Sequence, residues 1–129
     1  MIASPRLLAG FLTLAAAPLW AAVTAEPTKE QLDFFEGKIR PILAENCYKC
    51  HSIERGKSKG ELTLDTKDGL EKGGETGKAI VPGEPEKSLL LTALTYADKD
   101  LQMPPSSSGG KLGAQQIADI AAWIQMGAP

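Results

Sequence analysis

The chain has 129 residues, with 14 Lys and Arg against 16 Asp and Glu and a formal net charge of −2. That length suits one domain, and the mildly acidic balance carries no nucleic-acid footprint. Both cysteines and the single histidine fall inside one five-residue stretch, Cys47 to His51. No second histidine exists to serve as a base for Ser88, so triad chemistry is not available there.

Taken in order, residues 1–25 read as an export signal. Arg6 is the only charge there, and the run from Leu7 to Trp20 is almost wholly apolar. Val23-Thr24-Ala25 offers small residues where a signal peptidase reads, which predicts cleavage after Ala25. An uncleaved anchor fits less well, because the run falls short of the roughly 20 residues a spanning helix needs and Pro18 interrupts it. No stable membrane span is expected. Residues 26–129 then form a single domain. Dropping Arg6 takes the basic count from 14 to 13 against 16 acidic residues, a formal −3.

From Thr28 to about Glu45 the pattern is helical. Thr28 and Gln31 make a capping box, and Leu32, Phe35, Ile39, Ile42 and Leu43 recur along one stripe. Pro41 should kink this helix, since it lacks an N–H and its ring crowds the preceding turn. Phe34 and Phe35 read as core residues. The stripe runs into Cys47, so the helix delivers the next motif to the core.

Cys47-Tyr48-Lys49-Cys50-His51 has the C-x-x-C-H form of a c-type haem attachment site. On a helix, cysteines three apart share one face, about 4.5 Å apart along the axis. Both thiols can then add to the vinyl groups of one haem, and the imidazole of His51 can bind iron as the proximal axial ligand. Three other readings fit less well. A structural zinc site usually wants four ligands, and three crowded ones are present. A thioredoxin-like C-x-x-C follows a strand, whereas the residues before Cys47 read as helix. A disulfide between Cys47 and Cys50 would close a very short loop and leave His51 without a role.

Ser52 to Gly60 is polar and rich in Gly and Lys, which reads as loop. Glu61-Leu62-Thr63-Leu64 alternates and suggests a short extended piece. Asp65 is placed to cap a short helix, Thr66 to Lys72, that Gly73-Gly74 ends. Pro82 and Pro85 bracket a turn, and Pro85 suits the first turn of a helix carrying Leu89, Leu90, Ala93 and Leu94. Ser88 reads as a surface or capping residue.

Leu101-Gln102-Met103-Pro104-Pro105 is the second informative stretch. Two prolines after Met103 limit the directions its thioether can take. A haem with one histidine needs a sixth ligand or leaves iron open. Beyond the signal only Met103 and Met126 could supply sulfur, and Met126 falls at the frayed end of the last helix. Met103 is therefore the expected distal ligand, against the plainer role of a flexible core plug. Ser106 to Gly110 reads as a flexible connector outside the ligand set, with no expected effect on haem binding. Gln115 to Met126 forms the last helix, with Ile117, Ile120, Ala121 and Ile124 on one face. Trp123 flanks that stripe and is expected to pack on the first helix near the haem edge.

These stretches together resemble the planctomycete-type cytochrome c domain. The landmarks are FEGKIRPILAENCYKCH at residues 35–51, IVPGEPEKSLLL at 80–91, MPP at 103–105 and WIQMGA at 123–128. The resemblance implies an all-α, cytochrome c-like fold with N- and C-terminal helices packed around one covalently bound haem c. It implies thioethers at Cys47 and Cys50, His51 as proximal iron ligand and Met103 as distal one. The Ser106–Gly110 link is longer than the family tends to have. In this family the domain often heads a longer chain, so the sequence is compatible with a stand-alone protein or the front of a larger one.

The expectation that follows is a periplasmic, non-enzymatic domain passing single electrons between redox proteins or to a downstream domain. The alternatives are a haem-based sensor or docking module with an open sixth position, and a haem-free dithiol oxidoreductase. Haem would add a large apolar body to the core of a small domain, so loss of it should unfold the chain.

Overall fold

The computed structural model describes residues 26–129. The export signal expected over 1–25, with its cleavage after Ala25, lies outside the described residues.

The first helical stretch starts where its cap predicts. Thr28 Oγ1 accepts from the Gln31 N–H at 3.3 Å, and Gln31 Oε1 accepts from the Thr28 N–H at 2.9 Å. Helix α1 covers Lys29–Phe34 and α2 covers Arg40–Asn46. Between them, Phe35–Ile39 widens into a π-helical turn in which the Arg40 N–H reaches back to the Phe35 carbonyl. This is how Pro41 is received. The wider turn gives its ring room that an α-turn would deny it, so one irregularity is absorbed by another.

The chain then forms a two-stranded antiparallel hairpin. Strand β1, His51–Ser52, pairs with β2, Lys57–Ser58, in the register His51↔Ser58 and Ser52↔Lys57. The expectation of an all-α domain is corrected by this small sheet. Asp65 explains its position. Its carboxylate accepts from Ser52 Oγ at 2.6 Å, from the Ile53 N–H at 3.0 Å and from the Glu54 N–H at 3.1 Å. Asp65 therefore ties down the hairpin, and Thr66 caps α3, Lys67–Lys72, by accepting from the Gly69 N–H at 3.1 Å. Helix α3 ends at Gly73, whose φ of 76° favours glycine. A Cβ there would also lie 2.4 Å from the Gly77 carbonyl.

The Pro82–Pro85 turn packs on the last helix. Its Gly83 N–H donates to the Ile124 carbonyl at 2.8 Å, which satisfies one of the free carbonyls at that helix end. Pro85–Lys87 makes a 3₁₀ turn and α4 follows at Leu89–Thr95. Ser88 joins them and is no surface residue: it is 1% exposed. Its Oγ accepts from the Val81 N–H at 2.9 Å and donates to the Glu84 carbonyl at 3.0 Å.

Helix α5, Ala114–Gln125, closes the domain. It packs on the π turn, on α4 and on Pro85–Lys87. Ile39, Leu43, Leu94, Ile120, Trp123 and Ile124 are fully buried at this junction. The Trp123 ring lies 5.6 Å from the Phe35 ring, and its Nε1 donates to the Pro129 carbonyl at 2.7 Å. The first and last helical stretches thus pack on each other. Among the described residues, no helix is long and apolar enough to cross a membrane.

Candidate cofactor site

A cavity of about 400 Å³ lies beside this core, within the range typical of small-molecule and cofactor pockets. One wall comes from the stretch after α2, with Cys47, Cys50 and His51; another comes from Met103, Pro104 and Pro105. Leu62, Leu64, Leu90 and Leu94 supply apolar surface. The rim carries charges of both signs, from Glu45, Lys49, Lys59 and Glu75.

The cysteines do not sit on a continuous helix. Helix α2 ends at Asn46, and residues 47–50 form a turn in which the Cys47 carbonyl accepts from the Cys50 N–H at 3.1 Å and the His51 N–H at 3.0 Å. That turn brings Cys47, Cys50 and His51 to one cavity while β1 begins at His51. Burial pushes the Cys47 thiol up to about 12, so it is protonated at neutral pH. A dithiol oxidoreductase needs its attacking sulfur shifted the other way, toward thiolate. The microenvironment of Cys47 therefore disfavours that chemistry.

His51 is half-buried, and its Nδ1 lies 3.2 Å from the Leu62 carbonyl. A carbonyl can only accept, so Nδ1 carries the proton in this contact. In the neutral ring Nε2 is then the nitrogen with a free lone pair, the arrangement a metal-binding imidazole requires.

Met103 is held by its backbone. Its N–H donates to the Ala93 carbonyl at 3.1 Å, at the end of α4, and the Met103–Pro104 peptide is cis. Pro104 is buried, and its carbonyl accepts from Tyr96 Oη. Met103 itself is 38% exposed and Met126 39%, so exposure does not separate them. Position does. Met103 lines the cavity, and Met126, at the end of α5, is not among its walls.

A family model described as Planctomycete cytochrome C matches residues 47–107, from the first cysteine to just past the Met103 loop. The match supports the planctomycete cytochrome c family for this segment. No curated protein and no solved structure matches the chain. The family match implies haem-based redox function, and Cys47 and Cys50 fit the C-x-x-C haem-binding motif. The residues present fit that group on three counts: the volume, the thiols beside an imidazole whose free nitrogen is Nε2, and the apolar wall.

Around this cavity, several contributions lie outside what the sequence suggests. Ser107 and Ser108 line the cavity, so the Ser106–Gly110 stretch is part of its wall. It is also ordered. Ser106–Ser108 makes a 3₁₀ turn, and the Pro105 carbonyl accepts from the Ser108 N–H at 2.8 Å and the Gly110 N–H at 3.2 Å. Trp123 packs on Phe35 as expected but does not line the cavity, and neither does any residue of α5. The end of α2 reaches the cavity through Glu45 and Asn46, whereas α5 lies in the core next to it. Gly74 and Gly77, joined as an isolated antiparallel bridge, add a further wall. The hydrophobic periodicity gave no signal for any of these, since each depends on a loop.

Proposed function

We propose that residues 26–129 are an exported, periplasmic cytochrome domain holding one covalent haem c, which passes single electrons between redox proteins or to a following domain. The observation that carries this reading is the convergence of Cys47, Cys50, His51 and Met103 on one largely apolar cavity. When bound, haem supplies a one-electron redox centre. Cys47 and Cys50 would hold it through thioethers, which keeps it from being lost outside the cell. His51 would offer Nε2 to iron, with its ring oriented through Nδ1 by the Leu62 carbonyl. Met103 would offer its thioether as the second axial ligand, which raises the reduction potential. Leu62, Leu64, Leu90 and Leu94, which line the cavity, would shield the bound group from water. With His51 and Met103 both held by iron, a substrate would find no open position there, and the domain would act as a carrier rather than an enzyme.

The test is a visible spectrum of the exported protein, expressed with haem maturation factors. It is recorded oxidised, reduced, and reduced under carbon monoxide. The expected result is a sharp reduced c-type spectrum, colour that survives acid–acetone extraction, and no change under carbon monoxide. Met103→Ala should open the site to carbon monoxide and lower the potential, while Met126→Ala should do neither. Colourless protein would overturn the haem reading. A spectrum that already shifts with carbon monoxide in the wild type would overturn the role of Met103.

A further inference from the structure

Tyr96 stands at the end of α4 in a backbone conformation that bulky residues rarely adopt, with φ 59° and ψ 28°. Asn or Gly takes this conformation more easily. The contacts of its side chain account for a tyrosine there. Tyr96 Oη donates to the carbonyl of Pro104, the residue directly after Met103. The Lys111 ammonium lies 5.8 Å from the Tyr96 ring, on the ring face. On the other side of Met103, its N–H bonds the Ala93 carbonyl at 3.1 Å. The same carbonyl accepts the Tyr96 N–H at 3.2 Å. The Met103–Pro104 pair is therefore pinned at both ends to the last turn of α4, and Tyr96 makes one of the two pins. Tyr96 does not line the cavity.

The geometry points to Tyr96 as a positioning residue that holds the Met103 thioether over the cofactor cavity through the Pro104 carbonyl. This rests on Met103 acting as an axial ligand. Without the hydroxyl, Pro104 loses its donor and the loop keeps a single anchor, the Met103 N–H. The sulfur then competes less well against an outside ligand. The effect passes from a side chain behind the wall to one in it, with no contact between Tyr96 and the cofactor.

The experiment compares the haem-loaded wild type with Tyr96→Phe, Tyr96→Asn and Trp123→Phe. Three quantities are read: carbon monoxide affinity of the reduced protein, the sulfur-to-iron charge-transfer band of the oxidised protein, and hydrogen exchange at the Met103 amide. Tyr96→Phe should raise carbon monoxide affinity about tenfold, the scale set by losing one hydrogen bond. It should also weaken the band and speed exchange. Tyr96→Asn suits the positive φ yet cannot reach Pro104, so it should give the same rise with an unstrained backbone. Trp123→Phe removes a side-chain bond to the Pro129 carbonyl away from the cavity, so it should lower the unfolding midpoint and leave all three readouts alone. Wild-type behaviour in both Tyr96 variants, with the band intact, would overturn the positioning role and leave Met103 as ligand. An equal change in Trp123→Phe would also overturn it, by making the effect one of general stability. A wild type that lacks the band and binds carbon monoxide freely would remove Met103 from the ligand set, and the role of Tyr96 with it.

Discussion

Ser88→Ala is the sharpest structural perturbation that the fold offers. The hydroxyl is 1% exposed and closes the turn between Val81 and α4. It accepts from the Val81 N–H at 2.9 Å and donates its one proton to the Glu84 carbonyl at 3.0 Å, in preference to the Val81 carbonyl at 3.4 Å. Alanine leaves the Val81 N–H without a partner, while the Glu84 carbonyl keeps the Lys87 N–H at 3.1 Å. An orphaned buried donor or acceptor costs about 1–3 kcal/mol. Val81 and Glu84 are themselves half-buried, so water recovers part of this, and the net loss is about 2 kcal/mol. For a domain of this size each kcal/mol moves the midpoint by about 4–8 °C, which gives a fall of about 8–16 °C. The loss should reach the cavity wall as well, because the Leu90 N–H bonds the Ala79 carbonyl at 2.9 Å and both residues line the cavity. The assay is urea and thermal unfolding of the haem-loaded protein, followed by far-ultraviolet circular dichroism. Ser58→Ala, on the exposed strand β2, is the control and should stay within about 0.5 kcal/mol of wild type. A Ser88→Ala loss no larger than the Ser58→Ala loss would refute the reasoning.

Two further outcomes test other parts of the fold. Burial alone would raise the Asp65 carboxyl, but the bonds from Ser52 Oγ and from the Ile53 and Glu54 N–H groups outweigh it and hold it below its ordinary value. A depressed folded pKa stabilises above the unfolded value of about 3.9 and is lost as pH falls through the folded value. Asp65→Asn should therefore be less stable than wild type at pH 7, with the gap shrinking as the wild type is acidified below about pH 4; urea unfolding at both pH values reads this, and a constant gap would contradict it. Trp123→Ala removes a 1% exposed ring packed against Phe35 and should cost about 3–5 kcal/mol. Its visible spectrum should match wild type below the unfolding transition, and a changed spectrum would show that α5 shapes the cavity after all.

Much of the local structure was legible because its causes are local. The Thr28–Gln31 box, the Gly73 stop and the apolar face of the last helix rest on residues three or four apart, where spacing alone decides who meets whom. Pro41 also announced an irregularity, although the form it took, a π turn at Phe35–Ile39, depended on how the neighbouring turns could adjust. Asp65 does not cap the helix that follows it, and the reason is physical. A carboxylate beside a helix start can serve any free N–H in reach, and here the hairpin after His51 folded back to offer two, so the cap fell to Thr66. Serine between a proline turn and a helix usually caps or faces solvent, and the local sequence around Ser88 suggests nothing else. Its burial follows from α5 packing over the Pro85–Lys87 turn, a contact far apart in sequence.

By itself the sequence determined the chemistry of the site: two thiols and an imidazole in the order C-x-x-C-H, with a methionine beside paired prolines. Those are properties of residue types and short separations, and folding cannot change them. Tertiary structure decided which groups serve that chemistry. It placed Met103 at the cavity and Met126 outside it, turned His51 Nδ1 to the Leu62 carbonyl, made Ser107 and Ser108 part of the wall, and set Tyr96 behind the Met103 loop. Each of these depends on a backbone carbonyl or on the path of a loop. A carbonyl is the same at every position of a chain, so only the fold can single one out.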